Sequence, residues 1–247
     1  MREHDEKIVP AYEPGSKFFK WFDNFWYHHK WKVIIIGFFI VVLLICTLQM
    51  CEREDMDIYI MYAGPDALNQ QNIQDLKLQF SNVITDRNGD GYNKAEFIDL
   101  YILSPAQIEE KKQEMLDAGE PVVVNNEMFS TYYDQFEQHI WTGDTVICLL
   151  DPHLYATVYV EKDGEKLSGF MKLEDVLGEK PENAYDDYSI RLCDTDFGKY
   201  CNLDEDILLC IRKKSSASFM ADGKKTDEYH AYCVEVFKNI VAFKVEE

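Results

Sequence analysis

The chain of 247 residues carries no GxSxG, HExxH, P-loop or GxGxxG signature. Nucleophile-elbow hydrolysis, zinc-helix proteolysis and Gly-rich phosphate cradling therefore have no local footing in it. No CxxC occurs, and no spacing of cysteine and histidine fits a zinc site. The cysteines number seven, and an odd count argues against a complete disulfide framework. Internal repeats and low-complexity tracts are absent, which excludes a solenoid or a biased tail. Basic residues are scarce, with 25 Lys and Arg against 45 Asp and Glu and a net charge of −20. The first 32 residues are close to charge balance, so the acidic excess lies in the remainder. Such a surface repels phosphate backbones and disfavours nucleic acid. It reads as a solvated acidic face or as one that attracts cations.

What is present begins with one uncharged apolar run, Val33–Leu48 (VIIIGFFIVVLLICTL). With its flanks it predicts a transmembrane helix over 33–50. The block before it, KFFKWFDNFWYHHKWK, has the makeup of an interfacial belt, with rings at headgroup depth and Lys17, Lys20, Lys30 and Lys32 meeting anionic lipid. Phe18, Phe22 and Phe25 fall at helical spacing, so part of 16–32 reads as an amphipathic turn in the interface. Membrane contact is thus expected through residues 16–50. Lysines and His28–His29 crowd one side of the run; Glu52, Glu54, Asp55 and Asp57 crowd the other. The bias predicts a cytoplasmic N-terminus and an extracytoplasmic C-terminal domain in the cell membrane. Leu48, Gln49 and Met50 precede Cys51, and Ile45 precedes Cys46, so neither cysteine follows the small residue of a lipoprotein signal. An uncleaved signal anchor is the expectation. The polar segment 1–15, with Pro10 and Pro14, reads as a disordered cytoplasmic tail.

Residues 55–247 suffice for one domain of ordinary size. Asp57–Tyr62 alternates like a strand and meets a breaker at Gly64-Pro65. Ile73, Leu76, Phe80 and Val83 predict a helix over 67–84. Phe97–Leu103 reads as a strand. Ser104-Pro105-Ala106-Gln107 is a helix start, with a serine N-cap, proline at the first turn and glutamine at N3. That helix should stop near Gly119, before a short strand at Pro121–Val124. Phe129, Tyr133, Phe136 and Ile140 mark one face of a helix ending at Gly143. Thr145–Leu150 is a buried strand, and Asp151-Pro152 opens a helical turn. Residues 160–190 are turn-rich, with an apolar piece at Phe170–Leu177. Ile207–Arg212 is another strand, and Thr226-Asp227 can cap a last helix bearing Tyr229, Cys233, Phe237 and Ile240. Ser215–Ser218 reads as a polar loop. Strands alternating with helices predict an α/β fold: one transmembrane helix plus an extracytoplasmic α/β layer domain with a largely parallel or mixed sheet.

The sharpest local motif is DRNGDG followed by Glu96. Oxygen ligands at alternate positions, with glycine at the sharp turn, are how a calcium loop wraps a hard cation. Asp86, Asn88 and Asp90 match its first three ligand positions. Tyr92 offers a carbonyl, and Glu96 stands one residue early for the closing acid, where Phe97 sits. The competing reading is an Asp/Asn/Gly hairpin turn. Calcium is the one cofactor the sequence suggests; no other is implied. Cys148 and Cys210 sit in apolar strand-like runs and read as buried thiols. Cys193 and Cys201 flank a short loop and can form a bridge. His139, His153 and His230 have no serine or cysteine at motif spacing, and no catalytic residue is assigned. Tyr132, Tyr133, Tyr155, Tyr159, Tyr185 and Tyr188 suit core packing or a platform for carbohydrate or peptide.

The segment MFSTYYDQFEQHIWTGDTVICLLDPHLYATV runs helix, Gly-Asp, strand, helical turn. It resembles the corresponding segment of extracellular solute-binding proteins of ABC transporters. DFGKYCNLDEDILLCIRKKS is similar to their return strand, and DIYIMYAGP to their first strand. The resemblance implies a reduced, single-lobe, type 2 periplasmic-binding-like domain that lacks the two-lobed ligand clamp. It carries no ligand residue onto this chain. The function expected is that of an interaction or accessory module with a protein partner at a bacterial cell surface. The alternative is a small-ligand or calcium-binding surface sensor.

Overall fold

The computed structural model describes residues 17–51, 56–122, 126–142, 145–162, 165–201, 203, 206–214 and 223–244. The expected tail at 1–15, the Ser215–Ser218 loop and the second half of the proposed Pro121–Val124 strand lie outside them. The chain divides into two units, Met1–Glu54 and Asp55–Glu247.

Among its described residues the first unit is one helix, α1 (Lys17–Cys51). Its most apolar stretch, Asn24–Thr47, is 24 residues long, and none of it is buried. At about 1.5 Å per residue it is about 36 Å long, enough for a hydrocarbon core of about 30 Å. The aromatic block and the apolar run form one continuous helix rather than a separate turn and span. Neither glycine nor proline stands between Lys17 and Ile36 to interrupt it. Trp21 stacks on Phe25 and Phe22 on Trp26, each pair four residues apart.

The second unit is an α/β domain. Its elements are β1 (Ile58–Gly64), α2 (Gln70–Phe80), β2 (Ala95–Tyr101), α3 (Pro105–Asp117), α4 (Asn126–Thr142), β3 (Ile147–Leu150), α5 (Pro152–Thr157), β4 (Tyr159–Lys162), β5 (Glu165–Ser168), α6 (Leu173–Leu177), β6 (Ser189–Arg191), α7 (Asp196–Cys201), β7 (Leu208–Ile211) and α8 (Gly223–Ala242). A short 3₁₀ turn, Leu192–Asp194, joins β6 to α7. Among the described residues the main sheet has five strands in the order β2-β1-β3-β7-β6. β1 is parallel to β2 and β3, while β7 runs antiparallel to both β3 and β6. The sheet is mixed, and β7 is the one reversed strand in it.

Both faces of the sheet are covered, which is why β3 and β7 are apolar at every position. On one face Ile58, Ile60 and Tyr62 pack with Leu76 and Phe80 of α2, Phe197 of α7, and Cys233, Phe237 and Ile240 of α8. Phe80 meets Phe97 and Phe197 edge-on at 5.1 and 4.8 Å between ring centres. On the other face Met61, Ala63, Leu100, Cys148, Leu150 and Cys210 pack with Phe136 and Ile140 of α4 and Leu154 and Tyr155 of α5.

Several expectations change. The DRNGDG segment joins α2 to β2, and β2 is parallel to β1, so it is a crossover loop and not a hairpin turn. Pro121 and Val122 are exposed and belong to no strand. Residues 159–168 form an antiparallel hairpin, β4–β5, that the turn-rich composition concealed. Helix α8 is already formed at Gly223, so Thr226-Asp227 lie inside it rather than capping it. No bridge joins Cys193 and Cys201.

Candidate functional site

The candidate site is the loop between α2 and β2, together with the buried group that holds it. Gly89 and Gly91 adopt φ of +78° and +83°, a region an L side chain resists. Those two left-handed turns curl the backbone around Asp86. One Asp86 oxygen accepts from the N–H groups of Gly89 at 2.6 Å and Asp90 at 3.2 Å; the other accepts from Gly91 at 2.8 Å. Asn88 Oδ1 accepts from the Asp90 N–H at 2.9 Å. Asp90 accepts from the Tyr92 N–H at 2.9 Å and from Lys94 Nζ at 3.1 Å. These partners hold the Asp90 carboxyl below the usual carboxylate range, the Tyr92 N–H contributing most.

Sequence reading missed the anchor. Asp57, just before β1, has no solvent exposure. Its carboxylate accepts from three loop N–H groups, those of Arg87, Asn88 and Lys94, at 2.8, 3.1 and 2.9 Å. Arg87 returns the contact, donating from Nε to the Asp57 carbonyl at 2.9 Å. Its guanidinium lies over the rings of Tyr229 and Tyr232 on α8, at 5.3 and 6.0 Å. The loop is thus tied to the start of β1 and to the last helix. Asp57 stands in an alternating strand-like run, and nothing local marks it as a loop anchor.

The five expected ligands separate into two groups. Asp86, Asn88, Asp90 and Tyr92 share the exposed loop. Glu96 lies on β2, with its carboxylate 2.7 Å from Lys77 Nζ of α2. The side-chain oxygens of the loop acids serve backbone N–H groups and Lys94; each oxygen keeps further lone-pair capacity, so a cation here competes chiefly with Lys94 at Asp90. Among the described residues no three His, Cys, Asp or Glu side chains are gathered closely enough to hold a metal ion.

The opposite end of the parallel strands is where open α/β sheets receive ligands, at the point where strand order reverses. Here that point lies between β1 and β3. A polar relay crosses it. Ser104 and Gln107 form a reciprocal capping box at the start of α3. Gln107 Nε2 donates to the buried Asp151 at 3.1 Å, and Asp151 caps α5 through the His153 N–H at 2.7 Å. Asp151 N–H donates to the Ala63 carbonyl at 2.9 Å. The relay ties two helix starts to the end of β1.

The other two histidines meet at Arg212, which is almost fully buried. Its guanidinium donates to the carbonyls of His139 and Ile140 in the last turn of α4. A cation there satisfies orphan carbonyls and complements the helix dipole. His230 places a ring nitrogen 2.9 Å from the Arg212 carbonyl. The arrangement joins α4, β7 and α8 through bonds to backbone carbonyls, which is structural work. No family model, curated protein or solved structure matches the chain.

Proposed function

We propose that the protein is a single-pass membrane protein whose α/β domain works outside the cytoplasm as an interaction or accessory module at the cell surface. Its N-terminus is cytoplasmic on this reading, by the lysine and histidine bias before the span and the acids after it. The observation that carries the module reading is helix α3. None of its 13 residues is buried, and Leu116 is 59% exposed near its end. A helix that gains so little from its own core is a natural docking element. Kinship with one lobe of a solute-binding protein is part of the proposal. A first strand and helix, a strand after Gly-Asp, a reversed strand and a last helix around one sheet support it. The test is a photo-crosslinking residue at Leu116 in the full chain in its native membrane, with Tyr92 as a control position. A discrete adduct from 116 and none from 92 is expected. Equal labelling, or none, overturns the module reading.

The second reading is a calcium-binding surface sensor, favoured by the way Gly89 and Gly91 wrap the loop around Asp86. Its measure is the thermal midpoint of the full chain in detergent, with chelator and then with millimolar calcium. A rise that Asp86→Ala/Asp90→Ala abolishes establishes the site. An unchanged midpoint leaves the loop as a crossover held by Asp57.

A further inference from the structure

Cys148 of β3 and Cys210 of β7 are register partners across an antiparallel ladder. Both side chains lie in the core on the face covered by α4 and α5, and both are fully buried free thiols. Arg212 N–H donates to the Val146 carbonyl at 2.8 Å, which makes residues 146 and 212 a hydrogen-bonded pair. Pair types alternate along such a ladder, so two steps on, residues 148 and 210 are a hydrogen-bonded pair too. In that pair type the Cα atoms stand about 5.5 Å apart, inside the Cα range of a disulfide, while the Cβ atoms, about 5.5 Å apart, must draw in by about 1–2 Å to the separation a bridge needs. Register and same-face direction therefore coincide for these two cysteines, and a small local closure of the ladder supplies the reach.

We propose that Cys148 and Cys210 are a cross-strand modification site, a dithiol that closes to a disulfide and staples the reversed strand β7 to β3. The oxidant is a disulfide, small-molecule or protein-borne. One cysteine thiolate attacks it, forming a mixed disulfide and releasing one thiol; the second cysteine then displaces the other thiol. Two protein thiols lose two electrons and two protons, the S–S bond forms between them, and the donor leaves as two thiols. Burial pushes the Cys148 thiol up to about 12 and Cys210 well above its ordinary value. In the closed core neither is a nucleophile at neutral pH. Exchange therefore proceeds while the chain folds, or when β7 opens, and the folded core then shields whichever state it enclosed. The neighbouring Cys233 lies in the core of the opposite face of the sheet, and has no register partner.

The test refolds the full chain in detergent under an oxidised glutathione buffer. Free thiols are then trapped by alkylation in denaturant, and peptides are mapped by mass spectrometry. A joined peptide pair holding Cys148 and Cys210, two hydrogens lighter than its parts and lost on reduction, is expected. It disappears in Cys210→Ser. The oxidised protein melts about 5–10 °C above the reduced one, a gain absent from that variant. The wild-type map decides without the variant, should Cys210→Ser fail to fold. Recovery of Cys148 and Cys210 each alkylated, from protein refolded under the oxidant, overturns the proposal. So does a bridge from either one to Cys233.

Discussion

At the residue scale, two aspartates with opposite surroundings make different predictions. Asp57 is surrounded by donors, and its three backbone hydrogen bonds hold the crossover loop to β1. Replacing it with alanine orphans three N–H groups in a partly buried setting, a loss of about 3 kcal/mol. Chemical denaturation of Asp57→Ala should show it, with Asp57→Asn falling between the variant and the parent. Asp99 on β2 is the reverse. One of its oxygens is buried with no hydrogen-bond partner, and desolvation lifts its pKa from 3.8 to about 6. The folded state therefore holds this proton more tightly than the unfolded chain. Its contribution is fully present below the unfolded value and is lost as pH rises through about 6. Discounted for its partial exposure, the effect is on the order of 1 kcal/mol. Asp99→Asn should flatten that part of the stability profile between pH 4 and 6.5 and raise the midpoint at pH 7.

Elements declare themselves in proportion to how local their causes are. The capping box of α3 is written in Ser104-Pro105-Ala106-Gln107 and forms as read. The start of α5 is likewise written in Asp151-Pro152. The apolar runs of β1, β3 and β7 lie where alternation and burial place them, within a residue or two. The β4–β5 hairpin was hidden because Tyr159–Lys162 and Glu165–Ser168 are four residues each and carry charge. Helix α7 depends on a contact no local pattern shows. A Cβ on Gly198 would collide with the backbone carbonyl of Leu192 in the preceding turn. Backbone cannot step aside as a flexible side chain can. Gly198→Ala should cost about 3 kcal/mol or more and pull Phe197 from its edge-on contact with Phe80. A lowered thermal midpoint with a changed near-ultraviolet circular dichroism signal is the expected result.

For the whole molecule, the apolar helix and the acidic domain place opposite demands on solvent. The 24-residue stretch Asn24–Thr47 buries none of its apolar residues, an exposure that water penalises and lipid does not. The full chain should sediment with membranes and resist extraction by high salt or alkaline carbonate, yielding only to detergent. Deleting 17–51 should release the remainder. On the proposed orientation, a membrane-impermeant amine reagent added to intact cells labels the exposed Lys111 and Lys238 but spares a tag at the N-terminus. The opposite pattern would reverse the topology.

The sequence by itself determined the apolar run with its aromatic and basic flank, the alternation that makes the domain α/β, and the capped helix starts. These rest on periodicity, burial and hydrogen bonds between residues a few positions apart, which a single chain displays. Tertiary structure alone decided that DRNGDG is a crossover, that Asp57 anchors it, and that Cys148 faces Cys210 across reversed strands. Each of those joins residues from 30 to 62 positions apart. Their proximity depends on strand order, and strand order follows from packing both faces of one sheet rather than from any local stretch of sequence.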